Sequence, residues 1–142
     1  SITDIKKEGK TAWEIPFVNV GGMTYSLDYI EHEVLRKTLF DPRIHVGINC
    51  ASGSCPKLSN IAFTEENIEA TLDALMSGFI NDPYRNKITE TAVQISLIFK
   101  WFDKDFTKNT TLIRYLNKYS KTKINVDAKT SYLKYDWSLN GK

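Results

Sequence analysis

Five apolar residues in the middle of the chain, Ile68, Leu72, Leu75, Met76 and Phe79, follow the i, i+4, i+7, i+8, i+11 rows of a single helix face. Thr64, followed by Glu65 and Glu66, is placed to cap this helix, and Asn81-Asp82-Pro83 to end it. A row this narrow and regular is a core stripe, not a methionine-rich binding face, and it requires a second layer to cover it. The 142 residues suffice for one modest core in one domain, and 42% hydrophobic with 25% charged residues is the composition of a folded globular chain.

The second layer is foreshadowed on both sides. Trp13, Ile15 and Phe17 alternate with polar neighbours in residues 12–20, and Gly21-Gly22 leads into Met23-Thr24-Tyr25. Two glycines supply the positive φ values of a tight hairpin turn, and Pro16, unable to donate to a ladder, places the first strand at a sheet edge. Ser26 reads as the N-cap of a helix running to about Leu39, with Asp28 in its first turn, Arg36 and Lys37 in its last, and Leu27, Ile30, Val34 and Leu35 as its apolar stripe. Val93, Ile95 and Leu97 alternate as a strand, and Ser96 is placed to cap a short helix bearing Ile98, Phe99, Trp101 and Phe102. A third long helix is expected from Thr110 to Tyr119, and a last strand from Tyr132 to Trp137. Strands paired early and separated by helices later predict an α+β fold: one small, mainly antiparallel sheet covered by about three helices.

Reactive side chains gather in one stretch, Phe40 to Pro56, FDPRIHVGINCASGSCP, which holds both cysteines and one of the two histidines. Asp41-Pro42 reads as a turn followed by a strand in which Ile44, Val46, Ile48 and Cys50 share one face and His45, Gly47 and Asn49 the other. On that reading Cys50 behaves as a small buried hydrophobe, while His45 and Asn49 form a pocket wall with a gap at Gly47. Ala51 to Pro56 is a flexible loop carrying Cys55. Cys55 as nucleophile, His45 or His32 as base, and Asn49 as orienting group compose a thiol site. Ser52, Gly53 and Ser54, with Cys50 at their edge, are the ligand-contacting residues, and loop N–H groups there are candidates to hold an oxyanion. Glu31, at the margin of the first helix's stripe, is expected to drop into the gap at Gly47, hold an imidazole, and raise one histidine's pKa above about 6.5. The same residues admit other readings: an inert structural thiol, a Cys50–Cys55 disulfide, or zinc held by C-x4-C with His45 and His32. No metal and no cofactor is assigned.

A formal charge of +2 with lysines scattered along the chain offers no focused patch for nucleic acid. No run of about 18 apolar residues is present to form a transmembrane segment, and two cysteines are too few for a disulfide scaffold. A removed signal peptide leaves no trace, so a periplasmic or secreted location stays open.

Four segments carry a family resemblance: YSLDYIEHEVLR (Tyr25 to Arg36), DPRIHVGINCASGSCPKL (Asp41 to Leu58), ISLIFKWFDKDF (Ile95 to Phe106) and YDWSLN (Tyr135 to Asn140). Together, in this order and spacing, they resemble a bacterial member of the DUF547 family. The resemblance implies a family and not an activity. Fuller members resemble a longer domain with an upstream helical segment, so residues 1–142 are expected to be the C-terminal part of such a domain, with an orienting Asn or Asp missing if it belongs upstream. Two functions are consistent with the residues. One is a thiol-dependent hydrolase or acyl transferase. The other is a non-catalytic module binding a small molecule or peptide, with aromatics such as Tyr29, Tyr84 and Tyr132 as contact area.

Overall fold

The computed structural model describes residues 6–140. The chain opens with two ribbons: β1 (Lys6–Lys7) pairs with β2 (Lys10–Thr11), and β3 (Val18–Val20) with β4 (Met23–Tyr25), both antiparallel. Gly21 and Gly22 make the second turn with φ of +57° and +81°, the left-handed values a primed turn requires. Trp13 and Ile15 lie before this ribbon and are not part of a strand, so the expected edge strand shortens to Val18–Val20.

Ser26 caps the first helix, its Oγ accepting from Tyr29 N–H at 3.1 Å. That helix, α1 (residues 27–39), begins as an α-turn, Leu27–Tyr29, and continues as a π-helix, Ile30–Leu39. Its wider winding spreads the expected stripe, and Leu27, Ile30, Val34 and Leu35 are all half-buried, none fully.

After α1 the structure corrects the sequence reading. Residues 44–47 form a single helical turn, α2 (Ile44–Gly47), in place of a strand. Asp41 Oδ1 accepts from Arg43 N–H at 2.8 Å and Asp41 O from Ile44 N–H at 3.1 Å. Asp41 thus caps the turn, and Pro42, whose missing N–H is not needed there, opens it. Ile44, His45 and Val46 are all buried, so the supposed two-faced row does not exist. Gly47 is not an open gap either: a Cβ there would meet Leu72 Cδ2 at 3.2 Å and Phe63 Cζ at 3.4 Å.

Helix α3 (Ile68–Ile80) carries the central stripe, with Leu72, Met76, Phe79 and Ile80 buried. Its start lies four residues beyond Thr64, and Thr64 O accepts from Ile68 N–H at 3.0 Å. A three-stranded sheet follows in the order β5 (Lys87–Ile88), β6 (Ala92–Ile95), β7 (Lys129–Tyr132), antiparallel between the first pair and parallel between the second. Parallel pairing needs a long crossover. It is made by α4 (Ile98–Trp101), α5 (Asp103–Thr107) and α6 (Leu112–Tyr119). Thr111 caps α6 through Arg114 N–H. The expected last strand moves upstream to β7, and residues 135–140 run back as an extended segment joined to the cysteine loop by a Ser52–Leu139 bridge.

The core joins Met76, Phe79 and Ile80 of α3 to Val93 and Ile95 of β6, Phe99, Phe106, Leu116 and Ile124. Burying each such side chain contributes about 1.5–3 kcal/mol. The α+β class holds: the described residues form three longer helices, three single-turn ones, and small antiparallel and mixed sheets. No helix among the described residues is long and apolar enough to cross a membrane.

Candidate functional site

A cavity of about 510 Å³ opens between α1, the cysteine loop, α4 and the returning C-terminal segment. Each of the four segments quoted above supplies part of its lining: Asp28, Glu31 and His32 from the first, His45, Ile48, Cys50, Cys55 and Pro56 from the second, Ile98, Trp101 and Phe102 from the third, Tyr135 and Trp137 from the fourth. Thr11, Trp13 and Glu14 complete it from the N-terminal side.

The thiols are arranged opposite to the sequence expectation. Cys55, expected on a flexible loop, is 3% exposed, while Cys50, expected in the core, is half-buried at the cavity. Both are free thiols. Cys50 N–H donates to Cys55 Sγ at 3.0 Å. Cys50 Sγ lies 3.1 Å from Ser52 Oγ and 3.6 Å from Tyr135 Oη, and Ser52 O–H donates to Tyr135 Oη at 3.0 Å. Hydrogen bonding from Cys55, then from Ser52 and Tyr135, outweighs burial and lowers the Cys50 thiol, whereas the bond to Cys50 and its own burial push the Cys55 thiol up. With the Ser52 proton given to Tyr135 Oη, the Tyr135 hydroxyl is the one left to donate to the Cys50 sulfur.

The loop that presents Cys50 is rigid. Ala51 sits at φ +57°, and Asn49 ties the turn, its Oδ1 accepting from Ala51 N–H at 2.8 Å and its Nδ2 donating to Pro56 O at 2.7 Å. Asn49 shapes the loop and does not orient His45. Arg85 donates to Cys55 O at 2.8 Å and Gly53 O at 3.3 Å. Ser54 accepts from Asp136 N–H at 2.8 Å, and Gly53 has no room for a side chain, since a Cβ would lie 2.8 Å from Asp136 Oδ2. The N–H groups of Gly53, Ser54 and Cys55 donate to Ser138 O, Asp136 O and Ser52 O. One is spent within the loop and two on the returning C-terminal segment, so none of the three is free to hold an oxyanion.

His45 is 5% exposed, stacked on Phe102 with ring centroids 3.9 Å apart. Its Nε2 lies 2.8 Å from Asp105 Oδ2. The same carboxylate takes Arg36 in a fork, Nε at 2.7 Å and Nη2 at 3.1 Å. Burial lowers His45 to about 4 despite Asp105, and the nearby Arg36 charge adds to the effect. Asp105, already matched by Arg36 and held below the usual carboxylate range, cannot support a second buried cation. His45 is thus neutral at pH 7, its Nε2–H donated to Asp105, leaving the Nδ1 lone pair. For His45 the expected pairing with Glu31 and raised pKa are not found: His45 pairs with Asp105, and its pKa moves down. Glu31 is itself raised by burial, and among the described residues no hydrogen bond or ion pair reaches its carboxylate. His32 lies 3.4 Å from Asp28 and 2.9 Å from Arg36 Nη1.

Sequence reasoning missed Asp105, Tyr135, Trp101 and Trp137 as site residues. Asp105 shares the stretch between Phe102 and Phe106 with Asp103 and Lys104, so the sequence did not single it out, and it bonds His45 where Asn49 or an upstream residue was expected to. No group of three or more His, Cys, Asp or Glu among the described residues is arranged to hold a metal ion.

No curated protein and no solved structure matches the chain. The family model described as "Protein of unknown function, DUF547" matches residues 4–80, 77 of 142 residues, which include the first two resembling segments but not the last two. With more than half its length matched, and with α1 and the cysteine loop inside the match, the chain belongs to the DUF547 family.

Proposed function

We propose that this protein is a thiol-dependent acyl-transfer enzyme with Cys50 as nucleophile. The observation that carries the reading is a half-buried thiol at a cavity, with the Ser52 and Tyr135 hydroxyls 3.1 and 3.6 Å from its sulfur and its pKa lowered. A preformed thiolate needs no base to attack an acyl carbon. The Tyr135 hydroxyl, which lines the cavity and is backed by Ser52, can turn from the sulfur to the oxyanion that forms as the new C–S bond closes. Neutral His45 cannot serve as an acid, so the donor is an activated acyl group, such as a thioester or aryl ester, whose leaving group departs as an anion. In the second step water or another nucleophile attacks the thioester, its proton passes to His45 Nδ1, and the Cys50 thiolate is released. Asp105 is a positioning residue: it accepts the His45 Nε2–H and holds the tautomer that leaves Nδ1 free to take the proton and pass it on to solvent. Compared with the sequence reading, the nucleophile moves from Cys55 to Cys50 and the orienting role from Asn49 to Asp105.

Trapping the acyl-enzyme tests this. Aryl esters and thioesters of short acyl groups, quenched in acid and analysed by peptide mass, should leave the acyl group on Cys50. The adduct should persist in Cys55→Ala and vanish in Cys50→Ala. No adduct across the panel, or acylation of Cys55, would overturn the assignment.

A further inference from the structure

The cavity's lining contains three carboxylic acids, Glu14, Asp28 and Glu31, and no lysine or arginine, in a chain with 19 basic and 17 acidic residues. The Glu14 carboxylate is fixed by Thr11 N–H at 2.9 Å and Thr11 O–H at 2.8 Å, which hold its pKa below the ordinary value. Arg36, the cation nearest Glu31 in sequence and on its own helix, is committed to Asp105. Excess negative charge therefore faces the cavity, and the Cys50 thiolate adds to it.

The aromatic wall points the same way. Trp101 and Trp137 stack with centroids 5.6 Å apart and planes 26° from parallel, and Tyr135 packs against both. Both indoles remain 44–46% exposed at the cavity instead of closing into the core. Indole faces carry the strongest aromatic attraction for cations.

We propose that the cavity receives a substrate bearing a positively charged nitrogen, a primary or substituted ammonium, seated on Trp101 and Trp137 and paired with Glu31 and Asp28. This rests on the acyl-transfer reading of Cys50 and names the substrate class of that site. Carboxylates attract the ammonium into the cavity and the indoles desolvate it beside the nucleophile.

Charged thiol reagents test the two claims separately. Cys50 is modified with trimethylammonioethyl, sulfonatoethyl and methyl methanethiosulfonate, and each rate is divided by that for mercaptoethanol. The corrected cationic rate should exceed the anionic rate on the order of 100-fold, fall with salt, and drop by about tenfold in Glu31→Gln combined with Asp28→Asn. Equal corrected rates with ready modification by the neutral reagent would overturn the substrate class and leave Cys50 as nucleophile. If Cys50 reacts with none of the three, the acyl-transfer reading fails, and tryptophan fluorescence decides the cation site alone. Choline should then give a saturable change that its neutral isostere dimethylbutanol does not, and Trp101→Leu should abolish it; identical responses to choline and dimethylbutanol would refute the proposal.

Discussion

Replacing Asp105 by alanine removes one carboxylate that receives three hydrogen bonds: two from Arg36 and one from His45. Its side chain is 12% exposed, that of His45 2% and that of Arg36 27%. The imidazole N–H is left with no route to water, and the guanidinium regains only part of its hydration. Breaking a buried charge pair by removing one partner costs about 3–5 kcal/mol, and the partial exposure of Arg36 favours the lower figure, about 3 kcal/mol. For a chain of this length that corresponds to a fall in Tm of roughly 12 °C, at about 4 °C per kcal/mol. Urea unfolding at pH 7 followed by near-ultraviolet circular dichroism measures it, with the slope m checked for constancy. Changing Arg36→Met together with Asp105→Ala should cost less than the sum of the two single changes, because the orphaned charge is removed with its partner. An Asp105→Ala loss within about 0.5 kcal/mol, the range of an ordinary surface change, would refute the claim that this carboxylate joins α1, α2 and α5.

Three further outcomes follow from the same geometry. Because His45 falls from 6.5 in the unfolded chain to about 4 in the folded one, its contribution is present above pH 6.5 and is lost as pH falls towards 4, about 3 kcal/mol in all; urea midpoints from pH 7 to 4 should slope down in the native protein and flatten over that window in His45→Phe. Cys55→Ala removes the first cause of the low Cys50 pKa, so alkylation of Cys50 at pH 6 should slow by at least tenfold, and an unchanged rate would contradict the thiol–thiolate pairing. Ser26→Ala should destabilise the protein by about 1 kcal/mol through loss of the α1 cap, measured by urea unfolding.

The long elements were legible because each is written in one period. The stripe on α3, the Ser26 cap of α1, the strand over Val93 and Ile95, and the double glycine of the β3–β4 turn all stand where local propensity and burial agree. The reactive stretch was misread because Ile-His-Val-Gly spans only four residues, too few to separate alternation from a helical turn. The deciding signal was Asp41-Pro42, which fits a cap followed by a first-turn proline as well as it fits a turn before a strand. That one error exchanged the two thiols: a strand would bury Cys50, whereas the turn followed by extended chain carries Ile48 and Cys50 to the cavity and folds Cys55 behind them. Asp105 and Tyr135 could not be joined to the site by local reasoning, since they lie 60 and 85 residues from their partners His45 and Cys50. The resembling segments did mark them, because all four converge on one cavity.

The central claim is that Cys50, and not Cys55, is the reactive thiolate. Iodoacetamide alkylation of the folded protein across pH 4–9, with each cysteine followed by peptide mass, tests it most directly. The account predicts that Cys50 reacts with a midpoint well below the ordinary thiol value while Cys55 stays protected until the protein is unfolded. A Cys50 midpoint near the ordinary value of about 8.5, or Cys55 reacting first, would contradict it.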